Sequence, residues 1–84
     1  MPAYAAAYNN MGVAYGKLNK PDQEIEALNK ALKIRPKYAS ARYNLGMTYI
    51  KIGNRKEALR QYEALKIFDE GTAEALMKEI GKTP

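Results

Sequence analysis

The sequence predicts an all-α fold built from antiparallel helical hairpins that stack side by side. Two observations lead to this prediction. The chain matches itself when it is shifted by 34 residues, and within each period the apolar residues recur at steps of three and four, as they do on one face of a helix. Turn and breaker residues then divide the apolar runs into segments short enough to be single helices.

The internal repeat is strongest near the start of each period. Shifting the chain by 34 residues aligns seven identical pairs within one short window. The pairs are Tyr4 and Tyr38, Ala5 and Ala39, Ala7 and Ala41, Asn10 and Asn44, Gly12 and Gly46, Tyr15 and Tyr49, and Lys17 and Lys51. A shorter match follows one period later, at Ala73 and Ala75. A fixed period of this length is typical of repeat architectures.

The breakers place the predicted helices at about residues 3–18, 21–35, 38–52, 55–68 and 72–81. Pro21 suits the first turn of the second helix, and Gly53 suits a left-handed stop after the third. Asn54, three residues before Glu57, predicts an N-cap of the capping-box type. The polar segment 69–72 separates the last two helices. Short connections make neighbouring helices antiparallel, which gives two hairpins and a closing helix.

Composition limits the chemistry of the chain. Its 84 residues carry 14 basic and 9 acidic side chains and contain neither Cys nor His. Disulfides, thiolate metal sites and the commonest general base are therefore excluded, and we expect no metal and no cofactor. Helical spacing brings no nucleophile, base and oxyanion site together, so we predict that the chain is not an enzyme.

Charge and hydropathy also bear on partners and location. The net charge of +5 is interleaved with acids and matches no nucleic-acid-binding motif, which disfavours nucleic acid as a partner. The apolar runs are too short to cross a bilayer, and none follows a basic N-terminal stretch. We therefore expect no transmembrane segment and no signal peptide in this chain, and a cytoplasmic location is favoured.

The repeat resembles the tetratricopeptide repeat family, whose 34-residue helix-turn-helix carries an aromatic residue, Leu-Gly, Tyr, and later Ala, an aromatic residue, Ala and Pro. In the first repeat these places hold Tyr8, Met11, Gly12, Tyr15, Glu24, Leu28, Ala31 and Pro36. In the second they hold Arg42, Leu45, Gly46, Tyr49, Ala58, Tyr62, Leu65 and Glu70. The resemblance extends from Ala5 to Ile80. It implies a short right-handed α-solenoid, a single domain over residues 1–84 with repeats at about 5–38 and 39–72 and a capping helix at about 72–81.

Several repeated positions have a physical interpretation. Gly12 and Gly46 would let the partner helix of each hairpin approach closely, which would explain a residue that weakens helices. Tyr15 and Tyr49 would fill the seam between hairpins. Glu24 stands where the family prefers a small Ala, so the first hairpin either repacks there or turns the carboxylate outward.

The resemblance implies a concave groove lined by the first helix of each hairpin, where extended peptides or partner helices lie. The residues assigned to this groove are Asn9, Asn10, Val13, Lys17, Ser40, Tyr43, Asn44, Met47 and Lys51. Asn10 and Asn44 are expected to contact a peptide backbone, because an amide both donates and accepts. Bonding within their own hairpins, or to water, is the alternative. Lys17 and Lys51 can receive acidic groups, or can simply be solvated near a helix C-terminus.

The leading functional hypothesis is a protein–protein interaction scaffold whose groove binds a peptide or helix, acidic ligands included. The alternative is a structural unit that self-assembles into homo-oligomers through its first helix. The residues of the closing helix would cover one end of the stack, whereas the first helix has no such cover. We therefore also expect a fragment of a longer array, or the exchange of a hairpin between two chains.

Overall fold

The computed structural model describes residues 2–83, with side chains from Tyr4 onward. Its five helices are α1 (Pro2–Lys17), α2 (Pro21–Ile34), α3 (Ala39–Lys51), α4 (Arg55–Phe68) and α5 (Glu70–Gly81). The predicted all-α fold is confirmed, and every helix boundary lies within two residues of its predicted place. Residues 1 and 84 of the predicted domain lie outside the described part of the chain.

The turns within the two hairpins are built on equivalent positions. Asn19 and Gly53, one period apart, both adopt left-handed backbone, with φ of 57° and 80°. Gly takes this conformation freely, and Asn tolerates it better than most residues. Pro21 occupies the first turn of α2 as predicted. Asn54 caps α4 as predicted, since its Oδ1 accepts a hydrogen bond from the backbone N–H of Glu57 at 3.2 Å.

The junction between α4 and α5 is tighter than the sequence predicts. The Oδ1 of Asp69 accepts from the backbone N–H of Thr72 at 3.0 Å, which caps the start of α5. The backbone N–H of Asp69 also bonds to the carbonyl of Leu65 at 2.7 Å, at the end of α4. The predicted four-residue separator is therefore wrong. One residue ends α4 and begins α5, and α5 starts two residues earlier than predicted.

The helices pack as two hairpins and a closing helix. α1 packs on α2, α3 packs on both α2 and α4, and α5 packs on both α3 and α4. A first core cluster joins α2 to α3 and consists of Leu28, Ala31, Leu32, Ala41 and Leu45. A second core cluster joins α4 to α5 and consists of Ala58, Leu65, Ala73, Leu76 and Ile80. Tyr49 packs against both clusters, so it fills the seam between hairpins as predicted.

The repeated glycines allow two different close approaches. A Cβ on Gly12 would lie 2.8 Å from Cδ2 of Leu28 in α2, which confirms the expected approach of the hairpin partner. A Cβ on Gly46 would lie 2.6 Å from Cδ2 of Leu76, which belongs to α5. The expectation that Gly46 serves its own hairpin is therefore wrong. It makes room for the closing helix instead.

Candidate functional site

A cavity of about 470 Å³ lies between α1 and α3, with one wall supplied by α2. We call it the groove cavity. Its lining residues are Val13, Gly16, Lys17, Glu24, Asn44, Met47, Thr48, Ile50 and Lys51. The first helix of each hairpin thus contributes most of the lining.

Five of the nine residues predicted for the groove line this cavity together: Val13, Lys17, Asn44, Met47 and Lys51. Val13 and Met47 supply apolar surface from opposite helices. Lys17 and Lys51, one period apart, are both exposed. The cavity therefore combines apolar walls with two solvated cations.

The other four predicted residues lie elsewhere. Asn10 and Ser40 are exposed but lie outside the lining of the groove cavity. Tyr43 is half-buried and packs against the second core cluster between α4 and α5. Asn9 is only 7% exposed, which removes it from the surface that a ligand would meet.

Asn44 forms a hydrogen bond with an asparagine of the first hairpin. Nδ2 of Asn44 donates to Oδ1 of Asn9 at 3.1 Å, which joins α3 to α1. This bond crosses between hairpins, whereas the alternative to peptide binding placed it within one hairpin. The expected contact of Asn10 and Asn44 with a peptide backbone stays a prediction. Asn44 nevertheless remains in the wall of the groove cavity.

The nine residues predicted for the groove do not include four that line it, Gly16, Glu24, Thr48 and Ile50. Oγ1 of Thr48 donates to the backbone carbonyl of Asn44 at 2.9 Å, and the side chain is buried. Its position one helical turn after Asn44 was the available signal. Glu24 was recognisable only as a departure from the small residue that the family prefers.

The Glu24 carboxylate is packed into the wall of the groove cavity and is not turned out into solvent. The residue is 7% exposed, and its Oε1 is buried without a hydrogen-bond partner among the described residues. A Cβ on Gly16 would lie 2.5 Å from Oε2 of Glu24, so the glycine makes room for the carboxylate. Of the two expectations for Glu24, the structure shows repacking.

Across residues 2–83 no three acidic side chains come together in a way that could hold a metal ion. In the same part of the chain no helix is both long enough and apolar enough to cross a membrane.

Comparison with protein families agrees with the geometry. A tetratricopeptide repeat family model matches residues 5–38, and a second tetratricopeptide repeat model matches residues 27–62. The chain belongs to the tetratricopeptide repeat family. Stacked repeats of this kind form a solenoid of helical hairpins, in which each unit buries its apolar face against its neighbours.

Similar proteins include receptors and a chloroplast protein. The peroxisomal targeting signal receptor of Candida albicans is 39% identical over 57 residues, which are 68% of this chain and 10% of that receptor. The receptor of the same name in Saccharomyces cerevisiae is 35% identical over 61% of this chain and 8% of its own length. The tetratricopeptide repeat domain-containing protein PYG7 of Arabidopsis thaliana is 37% identical over 77% of this chain and 22% of its own length.

The chain thus spans about a tenth of the length of the receptors that it matches. Family and relatives together support a protein–protein interaction scaffold, and they point to a non-catalytic interaction domain.

Proposed function

We propose that this scaffold binds a peptide or helix of a partner protein in the groove cavity. The observation that carries the proposal is the cavity itself, whose volume of about 470 Å³ falls within the range of about 300–1,000 Å³ usual for ligand sites. Val13, Met47 and Ile50 give it apolar walls, and Asn44 adds an amide. Apolar walls with a few polar groups are the usual composition of a recognition site.

The charges in the groove cavity favour a ligand with acidic groups. Lys17 and Lys51 are exposed at its edge, where their ammonium groups can pair with carboxylates. The relatives support the binding of a ligand in general, since several are named as receptors for a targeting signal. Their name gives a targeting signal as the ligand.

Selection from a randomised dodecapeptide library displayed on phage, followed by an NMR titration of the ¹⁵N-labelled chain with a selected peptide, tests the proposal. We expect amide shifts at Val13, Asn44 and Met47. Val13→Glu should weaken binding at least tenfold, because it places a charge in an apolar wall. Ile67→Glu is the matched control, since Ile67 is 82% exposed on α4, outside the groove cavity. Shifts confined to α2 and α4 would overturn the proposal.

A second candidate function, self-association through α1, is favoured by an exposed apolar stripe that runs along that helix and ends on the residue after it. The stripe consists of Tyr4, Ala7, Met11, Ala14 and Leu18, which recur at steps of three and four residues and are all exposed. Leu18 is 63% exposed. An exposed apolar surface of this regularity is typical of a contact with another helix.

In the second repeat, two positions equivalent to this stripe are buried against a neighbouring helix. One period on, Ala41 and Leu45 occupy the places of Ala7 and Met11, and both are buried in the first core cluster against α2. At the other end of the stack α5 already covers α4, with Leu76 and Ile80 fully buried. In the proposed assembly α5 therefore takes the place on α4 that α1 of a second chain would need for head-to-tail stacking. A two-fold contact between two α1 helices remains available.

Light scattering coupled to gel filtration, over a wide range of concentration, tests this second function. We expect a dimer that Met11→Lys disperses, because the new charge would have to be buried in the contact. Ile67→Lys places the same charge on the exposed surface of α4 and should leave the dimer intact. A monomer at every concentration would exclude self-association through α1.

A further inference from the structure

The geometry points to a cation-binding subsite inside the groove cavity, in which the Glu24 carboxylate accepts N–H bonds from a positively charged amine or guanidinium of the bound peptide. This inference rests on the proposed binding of a peptide in the groove cavity. It adds a specific chemical requirement to that ligand.

The first observation is the state of the Glu24 carboxylate. The residue is 7% exposed and lines the groove cavity, and its Oε1 is fully buried with no hydrogen-bond partner in the described part of the chain. Burying a carboxylate oxygen without a partner is costly, so such groups are ordinarily bonded. A cation that enters the groove cavity would offset the buried charge, and a rotation of the carboxylate toward it would supply the missing bond.

The lysines of the cavity do not neutralise this carboxylate. Within residues 2–83 the ion pairs are Arg60 with Glu57 and Lys82 with Glu79, and both lie outside the groove cavity. Lys17 and Lys51 line the same cavity but are exposed, which keeps their ammonium groups in water. The cavity thus has basic groups at its edge and one buried acid in its wall.

A comparison of the two hairpins shows that packing does not require this acid. The places of Gly16 and Glu24 in the first repeat are taken by Ile50 and Ala58 in the second. Ile50 packs against the second core cluster, which contains the fully buried Ala58. The second hairpin therefore fills this position with an apolar side chain on its first helix. The first hairpin fills it with a carboxylate that a glycine accommodates.

The chemistry of the site favours an organic cation. Glu24 is the one acidic side chain in the lining, whereas a divalent metal ion takes several oxygen ligands. A neutral donor would satisfy the oxygen but leave the negative charge buried. An ammonium or guanidinium group does both, and hydrogen bonds between charged groups are the stronger ones. The expected ligand carries one cation for Glu24, with acidic groups nearby for Lys17 and Lys51.

The test uses the randomised phage-displayed dodecapeptides on the wild-type chain and on Glu24→Gln, which removes the charge but keeps the shape. We expect the wild type to enrich peptides with a fixed Lys or Arg, or a requirement for the free amino terminus, and Glu24→Gln to lose that preference. Identical peptides from both would overturn the cation subsite and leave groove binding in place. No enrichment by either folded protein would overturn groove binding and the subsite with it.

Affinities then measure the pairing directly. Fluorescence anisotropy compares a selected peptide, its twin with norleucine in place of the cationic residue, and its N-acetylated form, which separates a side-chain cation from a terminal amine. Glu24→Gln and removal of the cation should each weaken binding about tenfold or more, the size expected for a hydrogen bond to a charged group. Together they should cost little more than either alone. Glu26→Gln, at an exposed carboxylate of the same helix, is the control and should leave the affinity unchanged. Fully additive losses of affinity from Glu24→Gln and from removal of the cation would refute the pairing.

Discussion

Nδ2 of Asn44 donates a hydrogen bond to Oδ1 of Asn9 at 3.1 Å, and this bond ties the first helix of one hairpin to the first helix of the next. The two partners are unequally placed. Asn9 is buried, whereas Asn44 is half-buried and lines the groove cavity. The spacing of α1 and α3, and with it the shape of the groove cavity, therefore depends on a polar contact that sits beneath the proposed ligand.

This asymmetry predicts unequal effects of the two alanine substitutions. Asn44→Ala leaves the buried Asn9 oxygen without a partner and should lower the free energy of unfolding by about 1–3 kcal/mol. Asn9→Ala leaves Asn44, whose amide can reach water in the cavity, and should cost less, about 0.5–1.5 kcal/mol. Urea unfolding with unchanged m-values measures both. A larger loss for Asn9→Ala would contradict this account of the contact.

The pair of Gly16 and Glu24 predicts a stabilising exchange. Replacing it by the pair found in the second repeat, as Gly16→Ile with Glu24→Ala, removes a buried oxygen that has no partner and fills its space with apolar side chain. We expect the free energy of unfolding to rise by about 1–3 kcal/mol. Each single substitution should be less stable than the double variant, because Gly16→Ile crowds the carboxylate and Glu24→Ala leaves a void. A double variant less stable than wild type would show that the carboxylate is satisfied in solution.

The fold could be predicted because the period and its breakers act locally. Pro21, Gly53 and Asn54 each end or begin a helix through their own backbone chemistry, without help from distant residues. The roles of Asp69 and Gly46 are harder to predict from the sequence. Asp69 serves two helices at once, and the neighbour of Gly46 is Leu76 of the closing helix, whose counterpart one period earlier is the unlike residue Arg42.

The site could be predicted only in part, for a geometric reason. A repeat shows which positions are alike, such as Asn10 and Asn44, but contacts between hairpins depend on how one helix is offset against the next. That offset pairs Asn44 with Asn9, whose own counterpart is Tyr43. Glu24 was visible as an exception in the sequence. Its burial against Gly16 could come only from the packed structure.

The close approach at Gly46 predicts a local loosening of α5. A Cβ there would meet Cδ2 of Leu76 at 2.6 Å, so Gly46→Val should push α5 away and cost about 1–3 kcal/mol of stability. Hydrogen exchange should quicken at Ala73, Leu76 and Ile80 more than in α1 and α2. Gly81→Ala is the control, because nothing lies within 4 Å of a Cβ at that position. Uniform loss of protection over all helices would argue against a local effect.

The seam residue Tyr49 predicts a dependence of stability on alkaline pH. Burial raises the pKa of Tyr49 above its usual value of about 10, and the negative charge of Glu57 raises it further, while a hydrogen bond with Asn29 acts in the opposite direction. A folded-state pKa above the unfolded value gives a contribution to stability that is present below about pH 10 and is lost as the pH rises through the folded pKa.

Removing the phenol should remove that part of the pH dependence. Between pH 9 and 11, roughly the interval around an ordinary tyrosine pKa, the wild type should lose stability more steeply than Tyr49→Phe, which keeps the ring in the seam between both core clusters. Urea unfolding at stepped pH values measures the two slopes. The remaining tyrosines and the lysines titrate in both proteins, so the difference between the slopes reports Tyr49 alone. Parallel curves would mean that its hydroxyl is as well solvated in the folded chain as in the unfolded one.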